Sequence, residues 1–194
     1  MRFKLVLASG LAVSALAVAS FAAAAVINGT EGDDSILGTR GADLINGLGG
    51  NDQIGSRNGP DIVLAGSGND VVRAGYGPDT VWGNAGDDNL RGAEGNDIIR
   101  GRQGNDELYG GGQADELFAG MGADALYGGY GHDHLYALAR DGQLDTLDCG
   151  PGRDVASIRA GEATAVVNCE RVEVAPDDPS STNEPGESDT TEGP

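Results

Sequence analysis

The chain is poor in what most globular domains are built from. One Trp, five Tyr and three Phe stand among 194 residues, against 34 glycines, so a bulky central core is not available. A narrow stack, in which each layer buries a few aliphatic side chains against the next, is available. Positive charge is scarce too: 12 Lys and Arg face 31 Asp and Glu, a net charge of −19. A polyanion of this kind repels nucleic acid and anionic membranes and attracts divalent cations. No apolar run reaches the roughly 20 residues that a membrane span needs. Neither a His-Glu-x-x-His helix nor a Gly-x-Ser-x-Gly elbow occurs. The two histidines, His132 and His134, flank Asp133 and read as variable residues, since a zinc pair would need two more ligands. No catalytic constellation is in view, and the expectation is a protein that is not an enzyme.

What the chain does have is a period. Twelve aspartates recur every nine residues without a slip: Asp34, Asp43, Asp52, Asp61, Asp70, Asp79, Asp88, Asp97, Asp106, Asp115, Asp124 and Asp133. Two residues after each stands Ile, Val or Leu, from Ile36 to Leu135, and two residues before each stands Gly, except at Gln113. Counting from Gly29, position one is Gly or a small residue (Ser56, Ala65, Ala74, Ala119), position four Gly, position six Asp and position eight aliphatic. Such self-similarity means one unit stacked on copies of itself.

Glycines at positions one and four permit a tight, left-handed turn. Positions seven to nine suffice for a very short strand whose single inward side chain is position eight. Strand, turn, strand and turn make an 18-residue coil, and stacked coils give two parallel sheets. Position nine, which holds Trp82, Tyr109, Phe118, Tyr127 and Tyr136, faces outward, where strand propensity alone accounts for the aromatics.

Stacked strands repeat every ~4.8 Å, so aspartates two units apart lie one above the other. Charges at that spacing repel by about 1 kcal/mol in water and about 3 kcal/mol at an effective dielectric of 20. A cation between coils reverses the sign by taking a carboxylate from each side together with turn carbonyls. Hard oxygens in a flexible ring suit Ca²⁺ better than Mg²⁺, which demands a small octahedron. Folding and calcium binding would then be one equilibrium.

Units such as Gly92-Ala93-Glu94-Gly95-Asn96-Asp97-Ile98-Ile99-Arg100 resemble the haemolysin-type calcium-binding repeat, Gly-Gly-x-Gly-x-Asp-x-aliphatic-x, known as the RTX repeat. The resemblance covers residues 29–136. It implies an all-β parallel β-roll, a β-solenoid of nonapeptides, with several Ca²⁺ ions held in the turns. Carried over residue by residue, it makes the twelve aspartates the carboxylate ligands. The chain departs from the pattern at position two, where Leu48, Arg57 and Asn84 replace Gly and imply looser turns. Gln113 makes the unit Gly110–Phe118 the weakest match.

The ends differ from the repeats. Residues 1–25 join Arg2 and Lys4 to an apolar run and an alanine stretch, the layout of a secretory signal peptide cleaved after one of Ala22 to Ala25. Lys4 is the only lysine. A mature chain whose basic residues are all arginine, rich in Gly, Ala and Asp, points to a bacterial source of GC-rich composition. Residues 26–136 are the roll. Residues 137–175 open with an insertion, Ala137-Leu138-Ala139, followed by two degenerate units around Asp145 and Asp154 and two strands that could cap the stack. Cys149 and Cys169, the only cysteines of an exported chain, are expected to form a disulfide. From residue 176 the chain is Pro, Ser, Thr, Glu and Asp with no basic residue, a disordered acidic tail. The expectation is thus a secreted, extracellular, non-catalytic protein that folds on binding calcium. Surface attachment, or service as the accessory module of a secreted enzyme, are the alternatives; any protein or glycan partner is not legible.

Overall fold

The computed structural model describes residues 24–176; the expected signal segment up to residue 23 and the acidic tail from residue 177 lie outside the described residues. The described residues form seventeen strands and no helix, in parallel sheets of nine and eight strands. Successive strands alternate between the sheets, so neighbours within a sheet are two repeats apart. The register is 18 residues, as in Leu44↔Ile62, Ile62↔Thr80 and Thr80↔Ile98. The result is a β-solenoid of about eight turns.

The strands are longer than three residues. Leu44–Gly49, Gln53–Asn58 and Ile62–Ser67 each run from position seven through position three of the next unit. The chain stays extended through position one, and alternation then turns positions six, eight and one inward together. Position eight supplies the core: Ile45, Val63, Val81, Ile99, Leu117 and Leu135 from one sheet meet Ile54, Val72, Leu90, Leu108 and Leu126 from the other. Position one is buried beside them, as at Ala65, Ala74 and Ala119. Its small size is a matter of room. A Cβ on Gly47 would lie 2.0 Å from the Ala65 carbonyl oxygen and 2.4 Å from Asp52 Oδ2. The left-handed residues are instead those at positions two and four. Position two keeps that conformation without glycine, with φ of 82° at Leu48, 86° at Arg57 and 81° at Asn84. The turns there are not looser but strained, by about 1–2 kcal/mol each.

The insertion after Tyr136 lengthens one coil and shifts the register to 21 residues, pairing Leu126 with Leu147 and Leu135 with Ala156. Strands Ala163–Val167 and Arg171–Ala175 continue the two sheets in parallel as a final coil. Ile158, Val166 and Cys169 pack there on the end of the core. The Cys149–Cys169 disulfide ties this coil down, worth about 3 kcal/mol on a chain-entropy argument. On the outer faces, position-nine rings stack on one another: Phe118 on Tyr136 at 4.4 Å and Tyr109 on Tyr127 at 4.7 Å. Arg100 and Arg91 cover their other faces.

Candidate metal centre

Each turn between strands spans positions four to six, and its main-chain donors are used in a fixed order. The position-four N–H donates to the position-three carbonyl of the next coil, as from Gly68 to Ala85 at 2.8 Å. The position-six N–H donates to Oδ1 of the aspartate one coil on: Asp52 to Asp70, Asp61 to Asp79, Asp70 to Asp88 and Asp88 to Asp106, all at 2.8 Å. The twelve sequence-predicted aspartates therefore stand in two files of six, one along each edge of the solenoid. Asp145 and Asp154 extend the files across the insertion, accepting from Asp124 and Asp133 at 3.0 and 2.8 Å.

The second carboxylate oxygen separates these residues into two groups. Oδ2 of Asp52, Asp61, Asp70, Asp79, Asp88, Asp97, Asp106, Asp115, Asp124 and Asp133 is buried with no hydrogen-bond partner, as is that of Asp154. Asp34 and Asp43 are different. Thr30 donates to Asp34 Oδ2 from its N–H at 2.6 Å and from its hydroxyl at 2.9 Å. Thr39 donates to Asp43 Oδ2 from its N–H at 2.6 Å and to Oδ1 from its hydroxyl at 2.9 Å. Position two in these first two units is not left-handed, which is what brings the threonine N–H onto the carboxylate. Threonine at position two was the sequence signal for this difference.

Burial shows in the acidities. Asp52, Asp61, Asp97 and Asp133 are raised to about 6, Asp79, Asp88 and Asp106 to about 7, and Asp115 and Asp124 to about 8. Loss of water is the main cause. The N–H of the preceding coil opposes it, and at most of these residues a carboxylate one coil above or below adds to it. An ionised, buried oxygen lacking a donor costs on the order of several kcal/mol. Two files of them need protons or cations.

Position five differs between the two edges. On one, Asp33 Oδ1 accepts from the Asn51 N–H, Asn51 from Asn69, Asn69 from Asp87, Asp87 from Asn105 and Asn105 from Ala123, at 2.7–3.0 Å. On the other edge the corresponding residues begin Ala42, Pro60, Pro78. Ala42 offers no acceptor to the coil above, and there Pro60 has no N–H to place. Where coil length changes, acidic side chains substitute: Asp141 accepts from the Gly122 N–H at 2.6 Å, and Glu170 from the Asp154 N–H at 2.7 Å. Neither Asp141 nor Glu170 was legible as part of these files, because both lie off the nonapeptide period.

A model of the RTX calcium-binding nonapeptide repeat matches four times, over residues 26–63, 64–99, 91–126 and 118–139. The chain belongs to this family. RTX nonapeptide repeats bind calcium. No curated protein matches this RTX chain significantly. The donor set fits the ion: buried carboxylate oxygens without donors, kept clear of side chains by position-one glycines, where a Cβ added at Gly83 or Gly92 would stand 2.2 or 2.1 Å from Asp88 or Asp97 Oδ2. Calcium accepts roughly six to eight oxygens in flexible geometry. Among the described residues no three acidic, His or Cys side chains converge on one point, so carboxylates from two coils would share such a site with main-chain carbonyls. His132 and His134 are engaged elsewhere. His132 Nδ1 accepts from the Arg153 N–H at 3.1 Å, and His134 lies 2.8 Å from both Ser157 Oγ and Tyr136 Oη.

Proposed function

We propose that this RTX chain is a secreted, non-catalytic β-roll that takes up several Ca²⁺ ions between coils and folds as it does so. The ligands in this reading are the position-six aspartates, with Asp52 to Asp133 as the metal-dependent set. The supporting observation is the unbroken series of buried Oδ2 atoms without a donor. Calcium supplies the positive charge that lets both files ionise together; the chain supplies spacing, dry walls and the Oδ1 hydrogen bonds that hold each carboxylate in place. Saturated carboxylates are poor general acids or bases, in keeping with a structural or ion-binding role. Far-UV circular dichroism of the mature chain should move from coil to β on adding Ca²⁺ and revert with chelator. Calorimetric titration should show several Ca²⁺ bound and much weaker Mg²⁺ binding. A chain equally ordered in metal-stripped buffer at neutral pH would end this reading.

A surface-attachment role draws support from one sheet, whose outer face carries Val26, Leu44 and Ile62 at 53, 38 and 43 % exposure. Retention on cell-wall or glycan material that is lost with chelator would favour it.

A further inference from the structure

The lowest rung of one file is built differently from every rung above it. Ala25 stands nine residues before Asp34 and so occupies position six of an incomplete unit, with Val26, Ile27 and Asn28 at seven to nine. The strand Val26–Asn28 is in register with Leu44–Asn46. The Ala25 carbonyl accepts from the Leu44 N–H at 2.8 Å, and the Ala25 N–H donates to Asp43 Oδ1 at 2.8 Å. In all later rungs that N–H belongs to an aspartate. Here it belongs to a residue with no carboxylate, so no two-carboxylate cation site can form beneath Asp43. Yet Asp43 is 3 % exposed, and its remaining donors, the Thr39 N–H and hydroxyl, are uncharged.

We propose that the chain is cut between Ala24 and Ala25, and that the α-ammonium so created is the counter-ion of Asp43. This rests on the export reading above. A signal peptidase hydrolyses the Ala24–Ala25 peptide bond. Water adds its oxygen to the Ala24 carbonyl carbon and the C–N bond breaks; the leader leaves as a carboxylate, and the Ala25 nitrogen takes both of the water's protons and becomes the ammonium. Small residues at the last and third-last positions of the leader are what such enzymes accept, and Ala24 with Ala22 provides them. Cuts after Ala22 or Ala25 also satisfy that pattern. The latter would remove both the donor to Asp43 and the acceptor for Leu44. A cut after Ala22 would leave a two-residue overhang and a neutral amide on a buried carboxylate. Cutting after Ala24 keeps both hydrogen bonds and adds a full positive charge where the file has no cation, and a charge-assisted bond is about twice as strong as a neutral one.

The composition makes this testable on the exported protein. Lys4 leaves with the leader, so the α-amine is the only primary amine of the mature chain. N-terminal sequencing and intact mass of the secreted protein should give Ala25 as first residue. Retention of Met1 would defeat the export reading and this inference with it, whereas a mature chain beginning at Ala23 or Val26 defeats this inference alone. Acetylating the single amine keeps the N–H donor and removes only the charge. In excess Ca²⁺ the acetylated chain should melt about 3 °C lower, and the difference should vanish in Asp43→Asn. Equal melting of the acetylated and free chains would overturn the pairing even if the cut is placed correctly.

Discussion

The first two turns and the ten that follow carry the same aspartate at the same position, yet they treat it differently. Asp34 and Asp43 are closed by Thr30 and Thr39, while Asp52 through Asp133 each leave a buried oxygen without a donor. The contrast teaches that the repeat does two jobs. Where a threonine can reach the carboxylate, the turn completes itself. Where position two turns left-handed, the threonine-type closure is lost and one buried carboxylate oxygen has no donor. One end of the roll therefore closes its own carboxylates, and in the function proposed above the length beyond it is an ion-dependent extension.

The largest way to probe this difference is pH. In the later turns the folded acidities lie at about 6–8, above the unfolded value near 4. Their folded state then binds more protons than the unfolded one. Without metal, stability is greatest below about pH 4 and is lost as pH rises to about 8. Metal-stripped protein followed by circular dichroism should accordingly gain β structure on acidification. With calcium the sign reverses, because the ion displaces the protons: the Ca²⁺ concentration at half-transition should rise as pH falls below about 7. Order in metal-stripped buffer that does not respond to pH between 4 and 8 would remove the distinction.

Next in size is the carboxylate pair itself. Asp88→Asn with Asp106→Asn takes both charges from one gap and should lower the number of bound Ca²⁺ ions while destabilising the calcium form by roughly 3–5 kcal/mol. Asp34→Asn with Asp43→Asn should leave the ion count unchanged by calorimetry. Glycine offers a smaller test. In Gly95→Ala a Cβ at φ 153° would stand 2.0 Å from the Gly77 carbonyl oxygen, and a loss of about 2–3 kcal/mol in denaturant titration is expected. Gly32→Ala, whose nearest neighbour is Thr30 Oγ1 at 4.0 Å, should change stability by less than about 0.5 kcal/mol. Below the Gly95→Ala loss comes Thr39→Val, which removes the hydroxyl that donates to Asp43 and accepts from the Gly41 N–H; it should cost about 1.5 kcal/mol with no change in bound calcium.

The period carried most of the architecture: the two sheets, the pairing of units two apart and the three-residue insertion all follow from spacing. Position eight identified the core because alternation along a strand leaves no other choice. Strand length was harder to read. Gly, Ala and Ser at position one look like turn residues, whereas at Gly47 smallness answers to the Ala65 carbonyl of the neighbouring coil. Residue type also concealed the left-handed positions, since Leu48 and Arg57 adopt by stacking what glycine adopts by freedom. In the candidate site the aspartates were plain, but their division was not. It depends on where the N–H groups of Thr30 and Thr39 point, a property of backbone angle that no spacing encodes.

The two flanks of the roll are not fastened alike. Along one, side chains from Asp33 to Asn105 stitch every coil to the next whether or not any ion is present. Along the other, Pro60 and Pro78 have no N–H to stitch with, and such bonds begin only at Asn96, which accepts from the Ala114 N–H at 3.3 Å, and at His132. Stripped of calcium, the molecule should part first on its proline flank and swing about the stitched one, like a ledger opening on its spine.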